Sequence, residues 1–145
     1  MKFVEWNDYT GLLDKLFSDV QLRTFDNILA IGRGGSLIAA YLSSKLGLPG
    51  FCPAFVRHVG RGQDMKIVAN DWCQIDSLKG RLLVVDDWLC DGRAMIYVLD
   101  RVPKGAIITT LVMYCRRGSG FRPDFVGEFV EEDEREIMFP YDAIG

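Results

Sequence analysis

The segment from Arg81 to Met95 constrains the fold of this chain more than any other. It opens with four consecutive apolar residues, two of them β-branched, which is typical of a strand buried on both faces of a parallel sheet. Asp86 and Asp87 then close the strand, and a short turn with Gly92 leads into an apolar run with the composition of a helix. This order of strand, turn and helix predicts one unit of an open α/β sheet.

The two carboxylates predict a ligand site. In open α/β sheets, ligands bind in the crevice beyond the carboxyl ends of the strands, so Asp86 and Asp87 are expected at its mouth. They need a cation, hydroxyl donors or solvent, because each buried ion costs several kcal/mol. A magnesium ion and the cis hydroxyls of a ribose would satisfy them, and the alternative is a helix cap with a surface salt bridge. The turn behind them would aim backbone N–H groups at an anion.

A second strand, turn and helix unit covers residues 27–46. Its turn, Gly32–Ser36, brings the backbone close to a polyanion, Arg33 adds fixed donors, and Ser36 is expected to cap the helix. The pattern is neither a dinucleotide fingerprint, because Leu37 stands where the third glycine belongs, nor a Walker loop. The turn therefore predicts either an anion site or a tight structural turn.

The other segments alternate strands with helices, which predicts one α/β domain over residues 1–145, with a mostly parallel sheet flanked by helices. An amphipathic helix is expected from Asn7 or Asp8 to Val20. The other predicted features are strands at 51–57, 65–69, 106–114 and 125–130, a mobile polar loop at 58–64 and an acidic solvated turn at 131–134.

Composition narrows the classes of function. The net charge of −3 gives no basic footprint for nucleic acid. No segment reaches the ~20 apolar residues of a membrane span, and the amino end lacks a signal peptide, so a soluble cytoplasmic protein is expected. The four cysteines include no C-x-x-C pair and His58 is the single histidine. These spacings predict neither a common zinc site nor a disulfide framework, and buried thiols are expected.

The late run Phe139–Asp142 could supply a base site. Tyr141 can stack on a planar base while backbone groups read its edge, and the alternative is a core aromatic near the chain end. Two anion turns, a carboxylate pair and this aromatic together fit a ligand with two phosphate groups, a ribose and a flat ring.

These residues resemble the type I phosphoribosyltransferases, and most of all the purine branch with xanthine-guanine and hypoxanthine-guanine phosphoribosyltransferases. The resemblance covers nearly the whole chain. Residues 30–35 resemble the pyrophosphate loop, and 84–87 open the phosphoribosyl pyrophosphate (PRPP) signature. Residues 57–66 fall at the flexible catalytic loop, 122–127 match a late family segment, and 139–145 resemble the small C-terminal hood over the base.

The resemblance implies Mg²⁺-dependent transfer of phosphoribosyl from PRPP to a purine-like or modified base, in a homo-oligomer without nucleic acid or membrane partners. It implies the following roles: catalytic, Arg33, Asp86, Asp87 and Asp91; PRPP-binding, Arg33, Gly34, Gly35, Asp86, Asp87, Cys90, Asp91, Gly92, Arg93 and Ala94; flexible loop, Arg57, His58, Arg61 and Lys66; base-binding, Arg116, Tyr141 and Asp142; Mg²⁺-binding, Asp86 and Asp87.

The PRPP signature departs from the family pattern after Asp87. Cys90 stands where the family has the carboxylate assigned to proton transfer, while Asp91 and Ala94 replace hydroxyl residues that donate to the 5′-phosphate. A carboxylate there repels a phosphate by about 1 kcal/mol or more unless Arg93 neutralises it. A one-residue slip could let Asp91 replace the missing carboxylate. The alternative function is therefore a non-catalytic regulator or subunit that binds a nucleotide or PRPP through a degenerate loop.

Overall fold

A computed structural model of the chain describes residues 1–59, 66–69, 75 and 78–142. Its elements, in chain order, are β1 (Lys2–Phe3), α1 (Trp6–Val20), β2 (Asn27–Ile31), α2 (Gly32–Lys45), β3 (Cys52–Ala54), β4 (Val56–Val59), β5 (Lys66–Ala69), β6 (Arg81–Leu89), α3 (Arg93–Arg101), β7 (Ile107–Arg116), β8 (Phe125–Val130) and β9 (Ile137–Met138).

Five parallel strands form the main sheet, in the order β3-β2-β6-β7-β8. The predicted α/β class with a mostly parallel sheet is confirmed. Strand β6 is central because it pairs with β2 on one side and along nearly its whole length with β7 on the other. Two small sheets lie outside it: parallel β1-β9 and antiparallel β4-β5.

Helices cover both faces of the main sheet, which is why β6 is apolar on both sides. Leu83 and Val85 pack into a core with α1 and α2, whereas Leu82 and Val84 pack into a second core with α3. Successive side chains of a strand point to opposite faces, so the continuous apolar run fills both cores. None of the described helices is long and apolar enough to cross a membrane.

Helix α2 begins five residues earlier than its sequence predicts, which is a correction. Gly32–Ser36 form its first turn, with Ile31 at the N-cap position, and the Ser36 hydroxyl donates to the Gly32 carbonyl (2.7 Å). The cap predicted for Ser36 is therefore wrong. Gly32 makes the bend from strand to helix at a φ of 66°, a conformation that favours glycine.

Two strands also run further than predicted. Strand β6 continues to Leu89, so Asp86 and Asp87 lie within its last four residues and do not close it. Strand β4 includes Arg57 and His58 and pairs with β5, which begins at Lys66. Arg57, His58 and Lys66, which the resemblance assigns to the flexible loop, therefore belong to strands, and this is a correction; β-branched residues beside them favour strands. Arg61 lies outside the described residues.

The cysteines differ from the sequence expectation at one position. Cys90 and Cys115 are free thiols, whereas Cys52 is disulfide-bonded. The expectation of thiols throughout is wrong for Cys52, because the distances that permit a disulfide depend on the fold and not on sequence spacing.

Candidate functional site

Asp86 and Asp87 lie near the carboxyl end of β6 and belong to different surroundings. The Asp86 side chain is 8% exposed and lines a cleft formed with residues 88–95. Asp87 lies on the other side, against Gly34 of α2 and Tyr141. The Asp87 backbone N–H donates to Asp86 Oδ1 (2.8 Å), so the two carboxylates meet at the sheet edge. Asp86 thus belongs to the cleft at the start of α3, whereas Asp87 contacts Tyr141, which lines a second cleft.

Burial governs the ionisation of this pair. Desolvation raises the pKa of Asp86 well above its ordinary value, and the neighbouring charge of Asp87 adds to the rise. Burial also raises the pKa of Asp87, against the lowering effect of hydrogen bonds from Tyr141 and the backbone. Desolvation and the neighbouring like charge therefore disfavour two ionised carboxylates here, so the site favours a cation or hydroxyl donors between them.

Tyr141 and Gly34 fix the carboxylate of Asp87. The Tyr141 hydroxyl donates to Asp87 Oδ2, and the two oxygen atoms lie 2.5 Å apart. A Cβ at Gly34 would overlap the Asp87 carboxylate, so only glycine leaves room at that point of α2. The neighbouring Gly35 is equally restricted, because a Cβ there would lie 2.6 Å from the Val85 carbonyl oxygen. The glycines of the first α2 turn therefore let the helix approach the strand that carries the carboxylates.

Tyr141 is held by a turn and by aromatic rings. Its ring stacks on Phe139 at a centroid distance of 5.2 Å and meets the Tyr9 ring edge-on at 5.6 Å. Asp142 builds the turn, since its carboxylate accepts from the Phe139 backbone N–H (2.8 Å). Of the two late residues predicted to bind a base, Tyr141 lines a cleft and Asp142 stabilises the turn that presents it.

The cleft beside Tyr141 has a volume of about 450 Å³ and mostly apolar walls. Arg33 is the one charged residue that lines it; its side chain is exposed and has no ion-pair partner among the described residues. A cleft with apolar walls and one free guanidinium can hold a flat ring and an anion side by side. Its lining residues are Arg33, Ser36, Leu37, Ala40, Phe51, Phe55 and Tyr141.

The cleft beside Asp86 is smaller, about 250 Å³, and lies at the start of α3. Gly92 turns the chain into the helix at a φ of 83°. The Arg93 N–H, which would be free to meet an anion, donates instead to Asp91 Oδ1 (3.0 Å). Ala94 offers no side-chain donor, and the Cys90 thiol lies 3.9 Å from the Arg135 carbonyl oxygen. The Asp91 carboxylate therefore accepts from one of the backbone N–H groups that were predicted to bind phosphate.

Arg116 is buried and bonded within the protein. Its guanidinium donates to the carbonyl oxygens of Cys90 (2.9 Å) and Glu132 (3.0 Å), with a longer contact to that of Arg117 (3.4 Å). The side chain is 6% exposed. These bonds tie the β6–α3 turn to the segment after β8. They favour a structural role for Arg116 over the predicted contact with a base.

Sequence reasoning did not identify Tyr9, Phe51 or Phe55 as neighbours of the site. Tyr9 belongs to the apolar face of α1 and looks like an ordinary core position by spacing. Phe51 and Phe55 flank β3, the edge strand next to β2. For Phe55 the available signal was an aromatic residue at the carboxyl end of an edge strand, because that end of the sheet faces the crevice.

No protein-family model and no curated protein matches the chain. It is similar in structure to the purine phosphoribosyltransferase of Pyrococcus horikoshii Ot3, with a TM-score of 0.85 and 23% identity over 99% of this chain and 95% of that one. It is similar to the xanthine-guanine-hypoxanthine phosphoribosyltransferase of Helicobacter pylori, with a TM-score of 0.73 and 16% identity over 95% and 90%.

A third similar structure is a hypothetical protein from Neisseria gonorrhoeae with bound ppGpp, with a TM-score of 0.80 and 20% identity over 99% of this chain and 90% of that one. These likenesses extend over nearly the full length of each chain. They confirm the fold that the sequence resemblance implies.

Proposed function

We propose that this chain, whose fold is that of the type I phosphoribosyltransferases, transfers a phosphoribosyl group from PRPP to a purine-like or modified base and releases pyrophosphate. The observation that carries the proposal is the pair Asp86 and Asp87: Asp86 is buried and lines a cleft at a helix start, and Asp87 accepts from Tyr141, which lines a cleft with a free guanidinium and aromatic walls. A phosphorylated ribose bonded to a flat ring has these parts in this order.

Each part of the ligand has a proposed partner. Asp86 and Asp87 accept hydrogen bonds from the ribose hydroxyls, and Arg33 holds the pyrophosphate beside the first turn of α2. The 5′-phosphate lies in the smaller cleft at the start of α3. The base lies against Tyr141 and the apolar wall of the larger cleft. The reactive carbon of the ribose is then held between the leaving group and the incoming base.

The carboxylate pair fits a magnesium ion that is shared with the substrate. Mg²⁺ is usually held by one or two carboxylates together with substrate phosphates and water. Desolvation raises the pKa of both Asp86 and Asp87, so a nearby cation would stabilise their ionised forms. Asp86 and Asp87 are the residues that would hold it, and the bound ion would offset charge on the departing pyrophosphate.

Catalysis would depend chiefly on position and charge. The bond between the ribose C1 and the pyrophosphate oxygen breaks as a base nitrogen bonds to C1, and the positive charge that develops on the sugar is stabilised by nearby carboxylates. Arg33 stabilises the negative charge on the leaving group. Cys90 stands where the related enzymes have a carboxylate for proton transfer, so this chain favours bases that lose their proton easily, or a proton taken by Asp91.

A second candidate is a protein that binds a nucleotide or PRPP without turnover. The observation that favours it is the bond from the Arg93 N–H to Asp91, together with the loss of side-chain donors at Cys90 and Ala94. The similar Neisseria gonorrhoeae protein, whose structure holds bound ppGpp, supports a ligand of this class. In this candidate the fold and the aspartate pair serve recognition alone.

Turnover separates the two candidates. The protein is incubated with Mg²⁺, PRPP and a panel of purine and modified bases, and pyrophosphate release is followed. Release with at least one base supports the transferase. No release from any base, together with calorimetric binding of a nucleotide, overturns the transferase and supports the binding protein.

Replacing Asp91 by Ser tests the smaller cleft as the phosphate site. The substitution removes a negative charge beside the cleft and supplies a hydroxyl that can donate to phosphate, so ribose 5-phosphate should bind about tenfold more tightly. Asp100→Ser makes the same charge change at an exposed position near the other end of α3 and should leave the affinity unchanged. Equal affinities in Asp91→Ser and wild-type protein, by calorimetry, would show that phosphate does not bind there.

The proposed partners are small molecules only, and neither nucleic acid nor membrane is part of the proposal. We also propose a homo-oligomer in the cytoplasm, by analogy with the fold. Light scattering on the purified protein tests the assembly state.

A further inference from the structure

Tyr9 carries a buried hydroxyl that the proposed mechanism does not use. The residue is 2% exposed, and its Oη is the one buried side-chain polar atom without a hydrogen-bond partner among the described residues. A buried donor without a partner costs free energy, and a phenylalanine would fill the same space without that cost. A buried hydroxyl that forms no hydrogen bond in this structure therefore indicates a hydrogen-bond partner in another state of the protein.

The surroundings of Tyr9 indicate a candidate partner. Its ring meets Tyr141 edge-on at 5.6 Å, and Tyr141 donates to Asp87. The charge of Asp87 contributes to raising the pKa of Tyr9, after the larger effect of burial. Both tyrosines therefore lie in the field of one carboxylate, and one of them holds it.

Tyr9 has little freedom to move away from this position. Its backbone N–H donates to the Glu5 carbonyl in the first turn of α1 (3.0 Å), and Glu5 and Asp8 close that turn as a capping box. Trp6 packs edge-on against its ring at 5.7 Å. Tyr141, in contrast, sits on a turn near the chain end and lines the larger cleft.

We propose that Tyr9 is the alternate hydrogen-bond donor to Asp87. When Tyr141 releases the Asp87 carboxylate, the Tyr9 hydroxyl donates to it instead. The inference rests on the proposed function, in which the Tyr141 ring meets a base. A movement of that ring breaks its bond to Asp87 and would leave a buried carboxylate without a side-chain donor. Tyr9 then keeps Asp87 oriented toward the ribose, and it acts as a positioning residue.

A double-mutant cycle tests this exchange without any ligand. Tyr9→Phe, Tyr141→Phe and the double variant are unfolded in urea. In the wild-type background, Tyr9→Phe removes an idle hydroxyl and should be neutral or stabilising. In the Tyr141→Phe background, the same change removes the substitute donor and should raise the unfolding equilibrium constant about tenfold, a loss of stability of about 1.4 kcal/mol. The same effect of Tyr9→Phe in both backgrounds overturns the proposal.

Tyr114→Phe is the matched control. Tyr114 is buried and contacts Phe139 in the same aromatic group, but the charges that raise its pKa to about 12, after burial, are those of Glu128 and Asp8. It should show no coupling to Tyr141→Phe.

Binding of guanosine 5′-monophosphate, which carries a base, a ribose and a 5′-phosphate, gives a second readout that remains usable if Tyr141→Phe does not fold. Tyr9→Phe should weaken this binding about tenfold without lowering the melting temperature, because a donor to a charged group is lost only in the bound state. Affinity equal to that of the wild type overturns the exchange. If the wild type itself binds neither this nucleotide nor PRPP, the proposed function fails, and the double-mutant cycle alone decides the role of Tyr9.

Discussion

Asp86 combines a buried carboxyl with a like charge beside it. Its pKa is raised above the ordinary value of about 3.9. Between the ordinary pKa of the unfolded chain and the raised pKa of the folded protein, the folded protein binds more protons than the unfolded chain. The free energy of unfolding therefore falls as pH rises through this window, and the charged form of Asp86 destabilises the folded state at pH 7.

Asp86→Asn should therefore stabilise the protein at neutral pH. The amide keeps the shape of the carboxyl without its charge, and a rise in melting temperature of about 3 °C or more is expected at pH 7. The difference from wild type should shrink as pH falls toward 4. Melting curves across this range check the prediction, with Asp100→Asn as the exposed control. A lower melting temperature for Asp86→Asn at pH 7 would contradict it.

Arg116 illustrates a residue whose role the sequence does not reveal. The sequence resemblance predicts that it contacts a base, but its guanidinium donates to carbonyl oxygens of two separate segments. These partners are distant in sequence, so only the fold brings them together.

Arg116→Ala should lower the free energy of unfolding by about 2–4 kcal/mol, because it leaves buried carbonyl oxygens without charged donors. Arg117→Ala, at an exposed neighbouring position, should change it by less than about 0.5 kcal/mol. Urea unfolding of both variants is the measurement. Equal losses in the two variants would argue against a structural role for the buried guanidinium.

Among the elements, strands were more predictable than the start of α2. The strand predicted at 125–130 coincides with β8, and β2 ends where the predicted glycine turn begins, because turn residues bound each of these mostly apolar runs. The α2 start was missed because glycine ordinarily disfavours a helix. Here close approach to Asp87 and Val85 outweighs that preference.

Gly34→Ala tests this close approach. Its Cβ would overlap the Asp87 carboxylate, so Gly34→Ala should lower the free energy of unfolding by about 1–3 kcal/mol. Binding of PRPP should weaken with it, because Asp87 must move. Gly11→Ala, in α1 where a Cβ meets nothing within 4 Å, should instead stabilise by about 0.5–1 kcal/mol. Stabilisation by Gly34→Ala as well, in urea unfolding, would refute the contact.

At the scale of the whole molecule, the two ends of the chain assemble the site together. Strand β1 pairs with β9, and the Met1 ammonium lies 3.1 Å from Glu134. Tyr9, just beyond β1, then packs on the turn that carries Tyr141. Two-residue strands and contacts between chain ends leave no periodic signal, so the sequence predicts the sheet and the aspartate pair but not this closure.

The most direct test of the proposed site is a calorimetric titration of PRPP in the presence of Mg²⁺ into wild-type protein and Asp87→Asn. We expect saturable binding by the wild type and a loss of about tenfold or more in Asp87→Asn, because the carboxylate that receives the ribose is removed. The Asp100→Asn control should bind as the wild type does. Absence of binding by the wild type, or equal affinity in wild type and Asp87→Asn, would contradict a phosphoribosyl site at the aspartate pair.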